Sequence, residues 1–180
     1  GSDVGYLAWV IPGILSMSLM FSCLYGVGYV ITRYRDSGVL KRLMATPISA
    51  FEFLAAQAAS RLLISVSTLT LVFIGSYFLL KFPVQGSGFL LLLIAVLGSL
   101  SMIALSLLCA ARIDSLELMN GVLNLISWPM MLLSGLWFPL DDVPTVVQSL
   151  SQLMPLTHVV NAARAVMLEG AGFLSILPQL

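Results

Sequence analysis

Long apolar stretches separated by short polar segments dominate the pattern along this chain. Residues 4–32, 62–80, 82–111 and 118–140 contain no Asp, Glu, Lys or Arg. Each stretch can supply the roughly 20 apolar residues that a helix needs to cross a bilayer. The pattern therefore predicts four membrane-spanning helices, and their apolar cores lie near residues 6–31, 62–80, 89–111 and 119–138.

Helices are the expected form of these spans because backbone N–H and C=O groups cannot stay unpaired in lipid. The stretches are also longer and more uniformly apolar than the strands of a membrane barrel. Of the 180 residues, 59% are hydrophobic and 9% are charged, against about a quarter charged in soluble domains. We expect one all-α domain, a polytopic helical membrane bundle over residues 1–180.

Positive charge is concentrated in residues 32–61, which hold five of the eight Lys and Arg residues. Basic residues near span ends collect in cytoplasmic loops. This rule predicts that residues 32–61 and the turn at 112–117 are cytoplasmic. The turn at 81–88 and residues 139–170 are then external.

The basic segment also has an internal pattern that predicts two helices. Asp36 or Ser37 can cap a short helix through GVLKRLMA, which Pro47 ends. Ser49 and Glu52 have the spacing of a capping box that opens the second spanning helix. Two interpretations remain open, a helical positive-inside loop or a docking element for a cytoplasmic partner. The docking element would present Leu40, Lys41, Arg42, Leu43 and Met44.

Residues 143–170 lack the uniform apolar character of a span and predict a pair of external helices. Pro144 opens an amphipathic helix that closes before Pro155. Thr157 can cap a second helix that ends at Gly170. Such a pair is expected to lie at, or dip into, the outer membrane interface.

Two residues of this pair are candidates for special roles. His158 is the only histidine and is the first candidate for proton chemistry. Arg164 is expected to fix the helix pair by bonding backbone carbonyls or a carboxylate of Asp141, Asp142 or Glu169.

Several function classes lack their chemistry in this sequence. The spans contain no ionisable residue of the kind that ion-coupled transporters use, and Asp114 with Glu117 has the spacing of a helix cap and its third residue. One His and two distant Cys cannot build a metal site. Both lysines follow a leucine, so the phosphate-binding Gly-Lys pair is missing. Energy for uphill transport would have to come from another chain or domain.

Two other classes stay open as alternatives. An intramembrane serine hydrolase would need a nucleophile such as Ser134, but LLSGLW has Leu132 where the Gly of a Gly-x-Ser-Gly context is expected. A structural or scaffold membrane subunit is compatible with small residues at helix-packing spacing, such as Ala55 with Ala59.

Three segments make the chain resemble the membrane domain of ABC-2 type ATP-driven exporters. RYRDSGVLKRLMATPIS resembles the cytoplasmic segment after the family's second span. MMLLSGLWFPLDDVP resembles the end of its fifth span. LMPLTHVVNAARAVMLEG resembles its external re-entrant helix, and the matching positions there include Pro155, Thr157 and Arg164.

The resemblance implies that the four spans are the second to fifth of a six-span unit. The first span and most of the sixth are then missing from this chain. It further implies a bacterial inner membrane location and a permease role, in which residues 32–61 couple to a cytoplasmic nucleotide-binding ATPase. A second permease copy or related subunit is the other expected partner, and nucleic acid is not one. No cofactor is expected in this chain, because ATP and Mg²⁺ would bind the ATPase.

The resemblance also implies where the transported substrate passes. The family's second and fifth spans line the cavity between two protomers, and here both contain a proline, Pro12 or Pro129, that permits a kink. The expected path residues are Met17, Phe21, Asn124, Ser127, Trp128 and Met131, whose flexible and aromatic side chains can adapt to amphipathic cargo. Ordinary helix packing is the alternative role for each. The sequence does not identify the substrate.

Overall fold

A computed structural model describes residues 2–75, 78, 87–135, 137, 144–170 and 176. All regular secondary structure within these residues is helical, which confirms the all-α prediction. The helices are α1 (Ser2–Cys23), a π-helical segment (Leu24–Tyr29), α2 (Val30–Asp36), α3 (Val39–Leu43), α4 (Ala50–Gly75), α5 (Gly88–Arg112), α6 (Leu116–Leu133), α7 (Thr145–Gln152) and α8 (Pro155–Glu169).

Four helical stretches are long and apolar enough to cross a membrane, and they confirm the four predicted spans. They are Trp9–Asp36, Ala50–Val72, Gly88–Arg112 and Leu116–Leu133. The first continues past residue 31, the predicted end of its core at 6–31, to Asp36. The second begins at Ala50, before the predicted core at 62–80. A helix can continue through the polar headgroup region, where charged residues are tolerated. Most of the predicted span end at 76–80, and the turn at 81–86, lie outside the described residues.

The first span is one continuous helical rod built from α1, the π segment and α2. Pro12 lies inside α1, and Ser16 Oγ donates to its carbonyl at 2.8 Å. In the π segment, Gly28 N–H donates to Ser106 Oγ at 2.7 Å, and that hydroxyl donates to Leu24 O at 2.6 Å. Thus α5 fixes the irregular turn of the first span.

The core lies where the first span packs against α5, α6 and α8. Its fully buried side chains include Met20, Leu24, Met102, Met119, Leu123, Met130, Leu156 and Val160. By contrast, α4 lies at the edge of the bundle. Only 6% of the residues in its most apolar stretch are buried, whereas 50% are buried in that of α5. Most of the α4 surface is therefore free to face lipid or another subunit.

Three predicted helix caps are wrong, and in each case a nearby residue occupies the cap position instead. Helix α3 begins after Gly38, which occupies the cap position predicted for Asp36 or Ser37. The cap residue has a left-handed φ of +74°, which glycine adopts more readily than residues with a side chain. Ser115, not Asp114, caps α6 by accepting from Leu118 N–H at 3.2 Å.

The third wrong cap is Thr157 of α8. The helix begins at Pro155, because proline has the fixed φ and missing N–H that suit a first helical position. Thr157 is instead buried in the first turn, and its Oγ1 has no hydrogen-bond partner. The predicted end at Gly170 is confirmed by its left-handed φ of +62°. The capping box is also confirmed: Ser49 N–H donates to Glu52 Oε2 at 2.8 Å, and Glu52 N–H donates to Ser49 Oγ at 3.1 Å.

Candidate functional site

The basic end of the bundle is the end that carries Arg33, Arg35, Lys41, Arg42 and Arg112. These residues lie at the ends of α2 and α5 and on α3. Arg35 Nη1 donates both to Asp114 Oδ1 and to Ile113 O, each at 3.0 Å. Because this contact joins α2 to the turn between α5 and α6, all of these positive charges lie at one end of the molecule.

The predicted coupling residues lie together on α3 and the turn that follows it. Lys41 and Arg42 are exposed, and Met44 is 76% exposed. Leu40 and Leu43 are half-buried, since they face back toward the start of α4. The segment therefore offers an exposed cationic edge beside apolar side chains.

A groove of about 450 Å³ lies between α3 and the first turns of α4. Its wall is mainly apolar and includes Leu40, Leu43, Met44, Ile48, Phe53 and Leu54, and Arg35 and Lys41 stand at its edge. Phe51, the second residue of α4, is 79% exposed. This end of the molecule thus has a concave apolar surface with a basic rim. It suits a protein partner that has a protruding apolar side chain flanked by acidic residues.

The six predicted path residues divide between the interior and the surface of this copy. Met17 and Phe21 are half-buried and pack against the core, and the Phe21 ring lies 5.8 Å from that of Tyr25. Ser127 is 1% exposed and Met131 is 6% exposed. Trp128 is 59% exposed.

Asn124 is partly exposed, and its side-chain amide donates to Asn120 O at 2.9 Å. The outer face of α6 carries exposed Leu118, Leu125, Trp128 and Leu132 beside the polar Asn120. The structure therefore does not unite all six residues in one surface within this copy. Asn124 and Trp128 belong to a face that is open to another molecule.

The predicted helix pair is present as α7 and α8, and α8 packs deeply against the bundle. Leu156, Val160 and Val166 are fully buried. Val159 seats at Gly98 of α5, where a Cβ atom would lie 2.7 Å from Val159 Cγ2. This close fit gives α8 the position of a helix inserted between the ends of the spans.

Arg164 fixes α8 through backbone and aromatic contacts. Its Nη1 donates to Gly135 O at 2.9 Å, which confirms the predicted carbonyl bond, and its Cζ lies 4.0 Å from the centre of the Trp9 ring. Burial lowers the pKa of Arg164 below its usual value. Nε and Nη2 have no partner among the described residues, and the proposed carboxylates Asp141 and Asp142 lie outside those residues.

The side chains do not assemble a hydrolytic site in the part of the chain that the structure describes. Ser134 Oγ donates to Met131 O at 3.0 Å, a contact that closes the end of α6. A ring nitrogen of His158 lies 2.7 Å from Gln152 O, so this histidine joins α7 to α8. No group of three His, Cys, Asp or Glu residues that could hold a metal occurs there either.

Arg61 is a functional candidate that the sequence analysis missed. In the sequence it ends the basic segment, and in the structure its half-buried side chain lies against the first span. A Cβ atom at Gly26 would lie 2.6 Å from Arg61 Cζ, and Arg61 Nε is buried without a hydrogen-bond partner. The one available signal was Gly26, a small residue in the first span, but nothing in the sequence pairs it with Arg61.

Comparison with known proteins matches this chain to a transporter family. A family model described as "ABC-2 type transporter" matches residues 2–168. The chain is 30% identical over 154 residues to the "Inner membrane transport permease YhhJ" of Escherichia coli K12, covering 84% of the chain and 41% of the relative. It is 21% identical over 169 residues to the "Probable multidrug ABC transporter permease YbhR" of the same organism, covering 94% of the chain and 46% of the relative.

A third relative is the "Nodulation protein J" of Sinorhizobium fredii, at 23% identity over 173 residues, covering 94% of the chain and 64% of the relative. The chain thus spans less than half the length of YhhJ and YbhR. No solved structure matches it. The family match covers nearly all of the residues that form the spans, the α3 groove and the inserted α8. The chain therefore belongs to the ABC-2 type transporter family.

Proposed function

We propose that this chain is the core of the permease of an ATP-driven exporter, and that the α3 groove receives a cytoplasmic nucleotide-binding ATPase. The relatives' printed names, transport permease and ABC transporter permease, support the transport role. The observation that carries the ATPase contact is the apolar groove at the basic end, which no other described part of this copy fills.

The charge distribution supports a cytoplasmic position for this groove. Arg33, Arg35, Lys41, Arg42 and Arg112 all lie at the basic end, and basic residues flanking spans are retained in the cytoplasm. An ATPase that consumes cytoplasmic ATP can reach the groove only from that side. The segment from residue 32 to the start of α4 is then cytoplasmic, whereas residues 139–170, α7 and α8 among them, are external.

Motion at the groove has a route to the spans. The groove is lined by residues of α2, α3 and α4. Arg35 stands at its edge and also bonds the turn that leads into α6. A partner that moves α3 would therefore act on the first, second and fourth spans together.

A second permease copy would cover the open face of α6. The exposed Leu118, Leu125, Trp128 and Leu132 form an apolar face on a helix whose opposite side is in the core. Two such faces brought together would enclose a path between copies, with Asn124 and Trp128 on its wall. The substrate class stays open, and an apolar aromatic wall favours amphipathic cargo.

The test is ATP hydrolysis by the assembled exporter with its ATPase. Met44→Asp places a charge on the exposed rim of the groove and is expected to abolish substrate-stimulated hydrolysis, because an apolar partner surface would have to desolvate it. Ala111→Asp, an equal charge at an exposed site on the same end but outside the groove, is the matched control and is expected to retain stimulation. Unchanged stimulation by Met44→Asp, with normal membrane insertion, would contradict the docking role and favour a structural subunit.

A further inference from the structure

Arg61 is a half-buried cation on α4 that lies beside the first span. It lies on α4, eleven residues after Ala50, which is about 16 Å along the helix. Its guanidinium lies against the π segment at Gly26, where an added Cβ atom would meet Cζ and Nε at 2.6 Å and Nη1 at 2.7 Å. The missing side chain of Gly26 makes room for this charge beside the first span.

The charge has no anionic partner in the described part of the chain. Arg61 forms no ion pair there, and its buried Nε makes no hydrogen bond. The nearest acids along the two helices are Asp36, ten residues from Gly26, and Glu52, nine residues from Arg61. Each separation is about 14–15 Å of helix. An unpaired cation at this depth is costly, and an anion bound beside it would offset that cost.

A groove lined by hydroxyl groups lies next to Arg61, between α1 and α4. Its volume is about 80 Å³, and its polar residues are Ser18, Ser22, Ser65 and Thr68. Ser65 follows Arg61 by one helical turn and so shares its face. Ser65 is 8% exposed, and its Oγ makes no close hydrogen bond, although the Cys23 thiol lies beside it. A ligand that enters the groove would compete with that thiol for the hydroxyl.

The groove continues into an apolar cavity further from the basic end. This cavity has a volume of about 40 Å³ and shares Leu15, Leu19 and Leu69 with the hydroxyl-lined part. Its other walls include Pro12, Ile94 and Val159. With distance from Arg61, the lining therefore changes from hydroxyl groups mixed with apolar side chains to hydrocarbon.

We propose that this groove binds one anionic phospholipid from the leaflet at the basic end. The phosphate pairs with Arg61, the hydroxyl of Ser65 donates to an ester oxygen, and one acyl chain follows the apolar continuation toward the middle of the membrane. The phosphate, ester and acyl groups of the lipid follow the same order as Arg61, the hydroxyl groups and the apolar residues. A phospholipid of that leaflet has its phosphate nearest the basic end. Basic pockets between spanning helices are known to bind lipid headgroups. The site lies between α1 and α4, away from the exposed α6 face, and does not rest on the proposed coupling role.

Native mass spectrometry of the delipidated full-length permease would test the site, with equal amounts of phosphatidylglycerol and phosphatidylcholine added. The wild-type protein is expected to retain one phosphatidylglycerol in preference to phosphatidylcholine. Arg61→Gln should lose that preference, and Arg61→Lys should keep part of it because the charge remains. Arg112→Gln removes an exposed charge at the same end and should retain the wild-type preference. Equal retention of both lipids by the wild type, or an equal loss in Arg112→Gln, would overturn the proposal.

A second variant separates lipid binding from folding. Ser18 is exposed at the groove, so Ser18→Leu narrows the groove without burying a new side chain in the core. It should lower phosphatidylglycerol retention with Arg61 intact, whereas Ser101→Leu, at an exposed site on α5, should not. Inorganic phosphate distinguishes the two sources of the anion. If phosphate alone raises the melting temperature of the wild type, but not of Arg61→Gln, as much as phosphatidylglycerol does, the site binds a free anion and the lipid assignment is wrong.

Discussion

The hydroxyl of Ser106 is inserted into the helical hydrogen bond between Gly28 and Leu24 of the first span. It accepts from Gly28 N–H at 2.7 Å and donates to Leu24 O at 2.6 Å. In a regular α-helix these two backbone groups would bond each other directly. The insertion of one side chain from α5 therefore accounts for the π-helical turn, in the way that inserted groups distort helices generally.

Ser106→Ala should destabilise the protein by about 1–3 kcal/mol, because it removes two buried hydrogen bonds to the backbone of the first span. Unfolding by a denaturing detergent, followed by circular dichroism, would measure the loss. Ser101→Ala, an exposed serine of the same helix, is the control and should change little. Equal stability of Ser106→Ala and wild type would show that the π turn forms without the bridge.

This bridge also marks what the sequence could not predict. The four spans follow from uninterrupted apolar stretches, and the Ser49–Glu52 cap follows from local spacing, so both were predictable. The π turn depends on a residue 78 positions away, and no local pattern indicates that contact. The caps at Asp114 and Thr157 were wrong because an adjacent residue competed for each role, and Arg61 was missed because its burial depends on Gly26.

The capping box makes a prediction about the start of α4. Ser49 N–H donates to Glu52 Oε2 at 2.8 Å, and Glu52 N–H donates to Ser49 Oγ at 3.1 Å. Ser49→Ala removes the hydroxyl that accepts from the first turn and should destabilise the protein by about 0.5–2 kcal/mol. Thermal unfolding would measure the loss, and Ser60→Ala, an exposed serine of the same helix, is the control. Equal stability of Ser49→Ala and wild type would contradict the capping role.

The fit between Gly98 and Val159 should respond to matched size changes. Gly98→Ala puts a Cβ atom 2.7 Å from Val159 Cγ2, so it should destabilise by about 1–3 kcal/mol as an overpacked site. The double variant Gly98→Ala with Val159→Ala should recover part of that loss, since the clashing atoms are gone. Thermal unfolding of the two single variants and the double variant forms a complete cycle. Simple additivity of the two losses would mean that α8 is not seated against α5 at this point.

Accessibility of single cysteines would establish which end of the bundle is cytoplasmic. In a variant without Cys23 and Cys109, a cysteine at Ser87 or Thr145 should react with an impermeant thiol reagent added to intact cells. A cysteine at Ser37 or Ser115 should react only after the membrane is opened. All four sites are exposed in the structure, so a missing reaction reports the side of the membrane and not burial. The reverse labelling would place the α3 groove outside and remove the basis for ATPase coupling.

The exposed face of α6 makes a prediction about substrate choice that separates it from the core. Trp128 is 59% exposed, whereas the adjacent Ser127 is 1% exposed. If this face lines the path, Trp128→Ala should change the ranking of exported substrates, because it removes a broad aromatic surface that the substrates contact. The amount of protein should not change, since the exposed Trp128 ring does not pack in the core. Ser127→Val should instead reduce the amount of folded protein, since it adds volume to a packed site.

Phe89→Ala provides the control for the path, because Phe89 is 71% exposed at the start of α5 and is not among the predicted path residues. Export of a panel of amphipathic dyes by cells that contain the full-length permease and its ATPase would be compared across the three variants. Asn124→Leu, one turn from Trp128 on the same face, should shift the ranking in its own way, since it replaces an amide with an alkyl group. If Trp128→Ala and Asn124→Leu keep the wild-type ranking, as Phe89→Ala should, the exposed α6 face contacts lipid or a partner subunit and the substrate crosses elsewhere.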